Sequence, residues 1–262
     1  NMFACAVAVA QPIPPGRVRP VIEGAWWPIA GNPDLGPYTR PGQEPVDFAV
    51  WQAADGTWQL WSCIRNTGCG GHTRLFYGWE GASLEMPDWT PKGIMMEGRP
   101  DLGEAAGGLQ APHVIRWQGR YWMAYGNWRQ ICFATSEDGK HFERVIQPNG
   151  KTGVFGEGPE SITRDPMLLQ IDGLWHCYYT AIRDGRGYGF CRTSPDLRVW
   201  SPSFVVSYGG KVGPNPFFNE CPHVVEVHPG AFVYFRNQYY GEGQLNWQYY
   251  SENPRDFGID SD

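Results

Sequence analysis

One plan of residues returns four times along this chain, and few folds can use it. The copies run from Asp47 to Trp61, Ala111 to Tyr125, Asp165 to Tyr179 and Cys221 to Phe235. Each is an apolar stretch, a turn at a glycine (Gly56, Gly119, Gly173, Gly230) and an alternating aromatic stretch. That order reads as a hairpin, because glycine supplies the positive φ that a two-residue turn needs. The four glycines are 63, 54 and 57 residues apart. Within each period a third strand follows, such as Ile131 to Ser136 or Tyr188 to Ser194, and then a polar turn ending in Phe142 or Trp200. A short fourth strand, such as Val205-Val206, closes the unit. Four antiparallel strands recurring at this spacing make a propeller blade. A β-sandwich would not repeat the plan at so long a period. The continuously apolar first strands are expected to be inner strands buried on both faces.

Composition agrees. Glycine (34) and proline (23) make up about 22 per cent of 262 residues, against roughly 12 per cent in average proteins, which leaves little room for long helices. With 42% hydrophobic residues the chain is not a disordered one. A net charge of −6 argues against a nucleic-acid partner, since phosphate binding needs a basic face. No apolar stretch of about 20 residues occurs, so no membrane span is expected.

The expected fold is all-β: a five-bladed-type β-propeller of four-stranded antiparallel blades, the last blade incomplete. Residues 17–262 form its single domain. Residues 17–44 are expected to give one or two strands of a fifth blade. Residues 1–16 read as an N-terminal arm or signal-peptide remnant, because Phe3 to Ala10 is small and apolar without a positive segment before it. This leans weakly to a secreted or periplasmic protein. The seven cysteines have no zinc spacing. Free buried thiols are expected. Cys177 with Cys191, and Cys63 with Cys69, flank hairpins and are the two candidate disulfides if the protein is exported.

The inner strands of a propeller point their first residues at one mouth of the central channel. Asp47, Asp165 and Glu220 stand at three such starts. Each lies beside apolar residues or proline, where a lone carboxylate costs solvation energy unless it has a partner or a task. Three converging acids suit glycoside hydrolysis, in which one carboxyl protonates the leaving oxygen and another attacks the sugar or activates water.

Here the residues resemble a known group. Arg164-Asp165-Pro166 resembles the Arg-Asp-Pro motif of glycoside hydrolase family 32, and Glu220-Cys221-Pro222 its Glu-Cys motif. Ala111-Pro112-His113 resembles the Ala-Pro-acidic segment of family 43, with His113 in place of the acid. Over about residues 40–260 the chain is similar to the five-bladed propeller glycosidases of these two families. The resemblance implies that Asp47 is nucleophile or general base, that Asp165 stabilises the transition state or tunes the acid, and that Glu220 is the general acid. The Asn-Asp-Pro-Asn-Gly of family 32 is absent, Val46-Asp47-Phe48 standing there. That favours the inverting, family 43-like course slightly over the retaining one. A general acid also calls for a raised pKa at Glu220, beside two other acids.

His113, Arg164, His223, Trp51 and Arg236 are the candidate substrate contacts. Trp26, Trp27 and Trp89 join Trp51 as candidate stacking platforms. The expected partner is an oligo- or polysaccharide. No cofactor is required and no metal site is assigned, although a structural cation in the axial channel is compatible with the fold. Two rivals are a non-catalytic carbohydrate-binding propeller, and a phosphorylase or transglycosylase on the same scaffold. A phosphorylase would need basic residues at the mouth. The absence of Gly-x-Ser-x-Gly and His-x-x-x-His leaves serine-hydrolase and zinc-peptidase readings without support.

Overall fold

The computed structural model describes residues 21, 23–209, 215–217, 219–237 and 246–259. The expectations for residues 1–16 lie outside them. Four antiparallel sheets follow one another along the chain. Blade 1 is β1 (Glu44–Gln52), β2 (Trp58–Arg65), β3 (Leu75–Gly81) and β4 (Thr90–Met96). Blade 2 is β5 (Gln110–Trp117), β6 (Arg120–Gly126), β7 (Ile131–Ser136) and β8 (Glu143–Arg144), with β9 (Gly153–Phe155) also paired to β7. Blade 3 is β10 (Ile162–Ile171), β11 (Leu174–Arg183), β12 (Arg186–Ser194) and β13 (Phe204–Ser207). Blade 4 has three described strands, β14 (Glu220–His228), β15 (Ala231–Asn237) and β16 (Asn246–Ser251). The inner strands pack in the order β1, β5, β10, β14 around an axis. The described part of residues 17–44 holds a 3₁₀ turn at Gly36–Tyr38 and only the first residue of β1, so the strands expected before blade 1 are not found among the described residues.

The turns follow the sequence. Gln118-Gly119 joins Trp117 to its partner Arg120, and Asp172-Gly173 joins Ile171 to Leu174. All four turn residues have positive φ, between 49° and 79°, as a type I′ hairpin demands.

The aromatic second strands explain how the blades hold together. Side chains alternate across a strand, so each second strand serves two interfaces. On β6, Tyr121, Met123 and Tyr125 enter the core shared with blade 1, while Trp122 and Ala124 enter the core shared with blade 3. On β11, Trp175, Cys177 and Tyr179 face blade 2, and Tyr178 faces blade 4. These second strands are largely buried. The inner strands, expected to be covered on both faces, are partly exposed along the channel they line; Phe48 is 65% exposed.

The alternation also decides the cysteines. In the β11–β12 ladder Cys191 lies opposite Tyr178, one residue away from Cys177, and the two thiols enter different cores. Cys63 and Cys69 are likewise unbonded, and the six described cysteines are free.

Phe133 is 1% exposed and stacks on Trp200 with centroids 5.6 Å apart. Phe133→Ala is expected to destabilise the protein by about 3–5 kcal/mol. A lower urea midpoint at constant slope would show this, and a loss under about 1 kcal/mol would mean that the blade 2–3 core is not packed as described.

Candidate active site

The same irregularity sits near the start of all four inner strands. Strand register breaks between Val46 and Phe48, Gln110 and His113, Arg164 and Met167, and Glu220 and His223. At each break one non-glycine residue has positive φ: Asp47 (22°), Ala111 (43°), Asp165 (57°) and Cys221 (54°). Such β-bulges re-aim side chains and free backbone groups from the ladder. Aspartate tolerates the left-handed region better than most residues, which suits Asp47 and Asp165 to the position.

The bulges keep the register of the sequence repeat: Asp47 and Asp165 are equivalent, and the residue equivalent to them in blade 4 is Cys221. Glu220 stands one place earlier and pairs with Asn237, as Arg164 pairs with Thr180 and Gln110 with Gly126. All three acids nevertheless border one pocket of about 270 Å³. Arg65, Arg74, Gln110, Arg164 and Glu220 also border a wider adjoining cleft of about 660 Å³, whereas Asp47 and Asp165 do not. Asp47, Asp165 and Cys221 form the waist between that pocket and the axial channel, which holds about 300 Å³.

Short links tie the acids to one another. The Cys221 N–H donates to Asp165 Oδ2 at 3.1 Å, and the Cys221 thiol donates to Asp47 Oδ1 at 3.5 Å. Arg164 forms an ion pair with Glu220 and lies 3.7 Å from Asp165 Oδ2. Burial, then the neighbouring Asp165 charge, push the Asp47 carboxyl up to about 6, against the pull of Arg74, Cys221 and Arg164.

The other expected contacts divide. Arg164 is in the cleft. His113 and His223 line the axial channel on the other side of the waist, where burial and the facing His223 bring His113 down to about 4. Trp51 is not in the cleft: it lies toward the far end of β1, packed edge-on against Trp61 and Phe142, with its indole N–H donated to the Gly139 carbonyl. Arg236 is also misplaced as a substrate contact. It is fully buried and donates to Ser207, the Gly209 carbonyl and the Tyr249 hydroxyl. Trp89 is buried against Gly81, and Trp26 and Trp27 are exposed outside the cleft lining. Among the described residues no three His, Cys, Asp or Glu side chains are grouped as metal ligands. No helix there is long and apolar enough to cross a membrane.

Sequence reasoning missed Arg65, Arg74, Gln110 and Trp128. The connections from second to third strand lie at the mouth, because the second strand runs back toward it. Arg65 ends β2, Arg74 precedes β3 and Trp128 follows β6, so this topology was the available signal.

No protein-family model matches the chain, and no curated protein matches it. Solved structures do. A thermostable family-43 glycoside hydrolase has a TM-score of 0.62 at 21% identity, over 83% of this chain and 73% of that one. An endo-arabinase from Bacteroides thetaiotaomicron gives 0.63 at 12% identity, over 80% and 77%. A GH32 β-fructofuranosidase from Bombyx mori gives 0.57 at 15%, over 81% of this chain but only 47% of that one, so the chain spans under half its length. At these identities the likeness is one of fold.

Because the folded state holds the Asp47 proton more tightly than an unfolded chain does, the cost of ionising Asp47 is absent below about pH 4 and complete above about pH 6. Asp47→Asn keeps the acceptor for Cys221 and removes the charge. It is expected to raise stability by up to about 3 kcal/mol at neutral pH and to leave it nearly unchanged at acid pH. Thermal melts of both proteins across pH check this; an equal effect at both ends would contradict it.

Proposed function

We propose that this chain, which has the propeller fold of family 43 and family 32 glycosidases, hydrolyses glycosidic bonds of an oligo- or polysaccharide. The observation that carries the reading is the meeting of Asp47, Asp165 and Glu220, from three blades, in one pocket beside an open cleft. The four described blades are read as part of a five-bladed ring.

In this mechanism Asp47 is the general base. Its carboxylate takes a proton from water as the oxygen attacks the anomeric carbon, and configuration inverts. Asp165 lies beside the developing positive charge and tunes its neighbours. Glu220 protonates the leaving oxygen. Arg164 forms an ion pair with Glu220, so it must release Glu220 and turn to a sugar hydroxyl for the acid to carry its proton. No organic cofactor takes part.

The raised Asp47 carboxyl favours a second reading, in which Asp47 is the acid and Glu220 the base. The pH profile separates them. With Asp47 as base, kcat/KM rises with pH through an apparent pKa near 6 and the Asp47→Asn variant loses that limb along with most activity. With Asp47 as acid, activity falls through the same pKa instead.

The direct test is reducing-sugar release from arabinofuranosides, xylosides, fructans and galactosides. Glu220→Gln should lower kcat by at least about 100-fold without weakening binding. Binding without turnover in wild type would establish the non-catalytic rival. The product anomer, followed by NMR, checks inversion, since retention cannot come from a single displacement by water.

A further inference from the structure

Charge in the wide cleft runs against the charge of the whole protein. The chain carries 27 acidic and 21 basic residues, yet among the described residues the cleft is bordered by Arg65, Arg74 and Arg164 and by one carboxylate, Glu220. Two of these arginines are engaged. Arg164 pairs with Glu220, and Arg65 with Glu44 at 2.6 Å. Arg74 is different. Its guanidinium makes a 3.9 Å hydrogen bond to Cys63 Sγ and lies 5.5 Å from the ring centroid of Trp128. Among the described residues it forms no ion pair. Arg74 is nevertheless held firmly. Its N–H donates to the Gly107 carbonyl at 2.8 Å, and Trp128 is itself stacked on His72 at 3.8 Å and 9°. Burial and the charges of Arg129 and Arg74 lower the proton affinity of His72, so the stack adds no competing cation at neutral pH.

A guanidinium stays charged at every relevant pH and presents five donors in a planar fork that fits an oxyanion. A neutral glycan closing over Arg74 would strip its water and leave its charge balanced only through space, by Asp47 with which it makes no ion pair, which is costly. A carboxylate or sulfate would meet it with charge-assisted hydrogen bonds.

We infer that the wall formed by Arg74, Trp128 and Arg65 is a subsite for an acidic sugar, a uronate or a sulfate ester, of the glycan bound in the cleft. The inference rests on the glycan-cleaving reading for the nature of the ligand. It adds that this enzyme selects acidic glycans over neutral ones.

The test is native affinity electrophoresis of the wild-type protein in gels containing polygalacturonate, a sulfated galactan, arabinan or inulin. One or both acidic polymers should retard it, and the neutral ones should not. Arg74→Met should weaken that retardation about 10- to 100-fold, and Arg74→Lys, which keeps the charge but not the fork, by less. Arg120→Gln, on the opposite face beside Glu137, should leave it unchanged. Added salt should weaken it in wild type. If Arg74→Met does not fold, Arg74→Lys against Arg120→Gln carries the comparison. Equal retardation by neutral polymers, or retardation indifferent to Arg74, would overturn the inference. An Arg74-dependent thermal shift with inorganic phosphate, without retardation by any acidic polymer, would overturn it in favour of a phosphate co-substrate. Binding is read without turnover. Arg74-dependent retardation without hydrolysis therefore fails only the catalytic reading, and hydrolysis of neutral glycans indifferent to Arg74 fails only this one.

Discussion

The bulge near the start of β14 frees the backbone N–H of Cys221 from its ladder, and Asp165 takes it up at 3.1 Å. The rest of the site depends on that bond. It joins blade 4 to blade 3 at the waist of the channel, and the thiol of the same residue reaches Asp47 on blade 1. Four inner strands break register at the same depth, so four side chains are turned toward one axis instead of alternating away from it. Positive φ at Ala111 and Cys221, where no aspartate eases the strain, costs of order 1 kcal/mol each. Packing of the aromatic second strands, with Trp61, Tyr125, Tyr179 and Tyr234 buried between or within blades, is large enough to hold the backbone there.

Charge is distributed in layers along the same axis. The histidines line the channel, Asp47 and Asp165 the waist, and Glu220 with the arginines the mouth. Bringing Asp47 and Asp165 together in a buried place is what raises the Asp47 proton affinity. Other buried acids have no such freedom. Glu104 accepts from the Tyr125 hydroxyl, Arg144 and the Arg99 N–H, and Glu157 from Tyr179, Arg192 and Ser203. Their oxygens are committed to holding loops onto blades 2 and 3, which marks them as structural although they are as buried as the acids of the waist.

Much of this was legible in the sequence, and the failures share a cause. The repeat located the first hairpin of each blade, and its glycines Gly119 and Gly173 mark two of the turns to the residue. Asp47 and Asp165 were placed because aspartate is visible at an inner-strand start. Glu220 stands one place before the position equivalent to Asp165, which Cys221 fills in the repeat, and it borders the pocket all the same. Trp51 and Arg236 were read by residue type. Their burial follows from position along β1 and from the face of β15 that turns to Ser207 and Tyr249. Cys177 and Cys191 looked opposed because one step of register, which sends them to different faces, cannot be counted from the sequence. Arg74 and Trp128 lie in connections without periodicity, so only the fold brings them to the mouth.

Under the proposed function, the bulges assemble a catalytic site from three blades. A crystal structure of the Glu220→Gln protein with an uncleaved oligosaccharide tests it most directly. A glycosidic oxygen is expected within hydrogen-bond reach of residue 220, with a water between Asp47 and the anomeric carbon on the opposite face of the sugar. A sugar bound only at the outer wall, with Asp47 and residue 220 on the same side of the ring or out of reach of it, would rule out these catalytic roles.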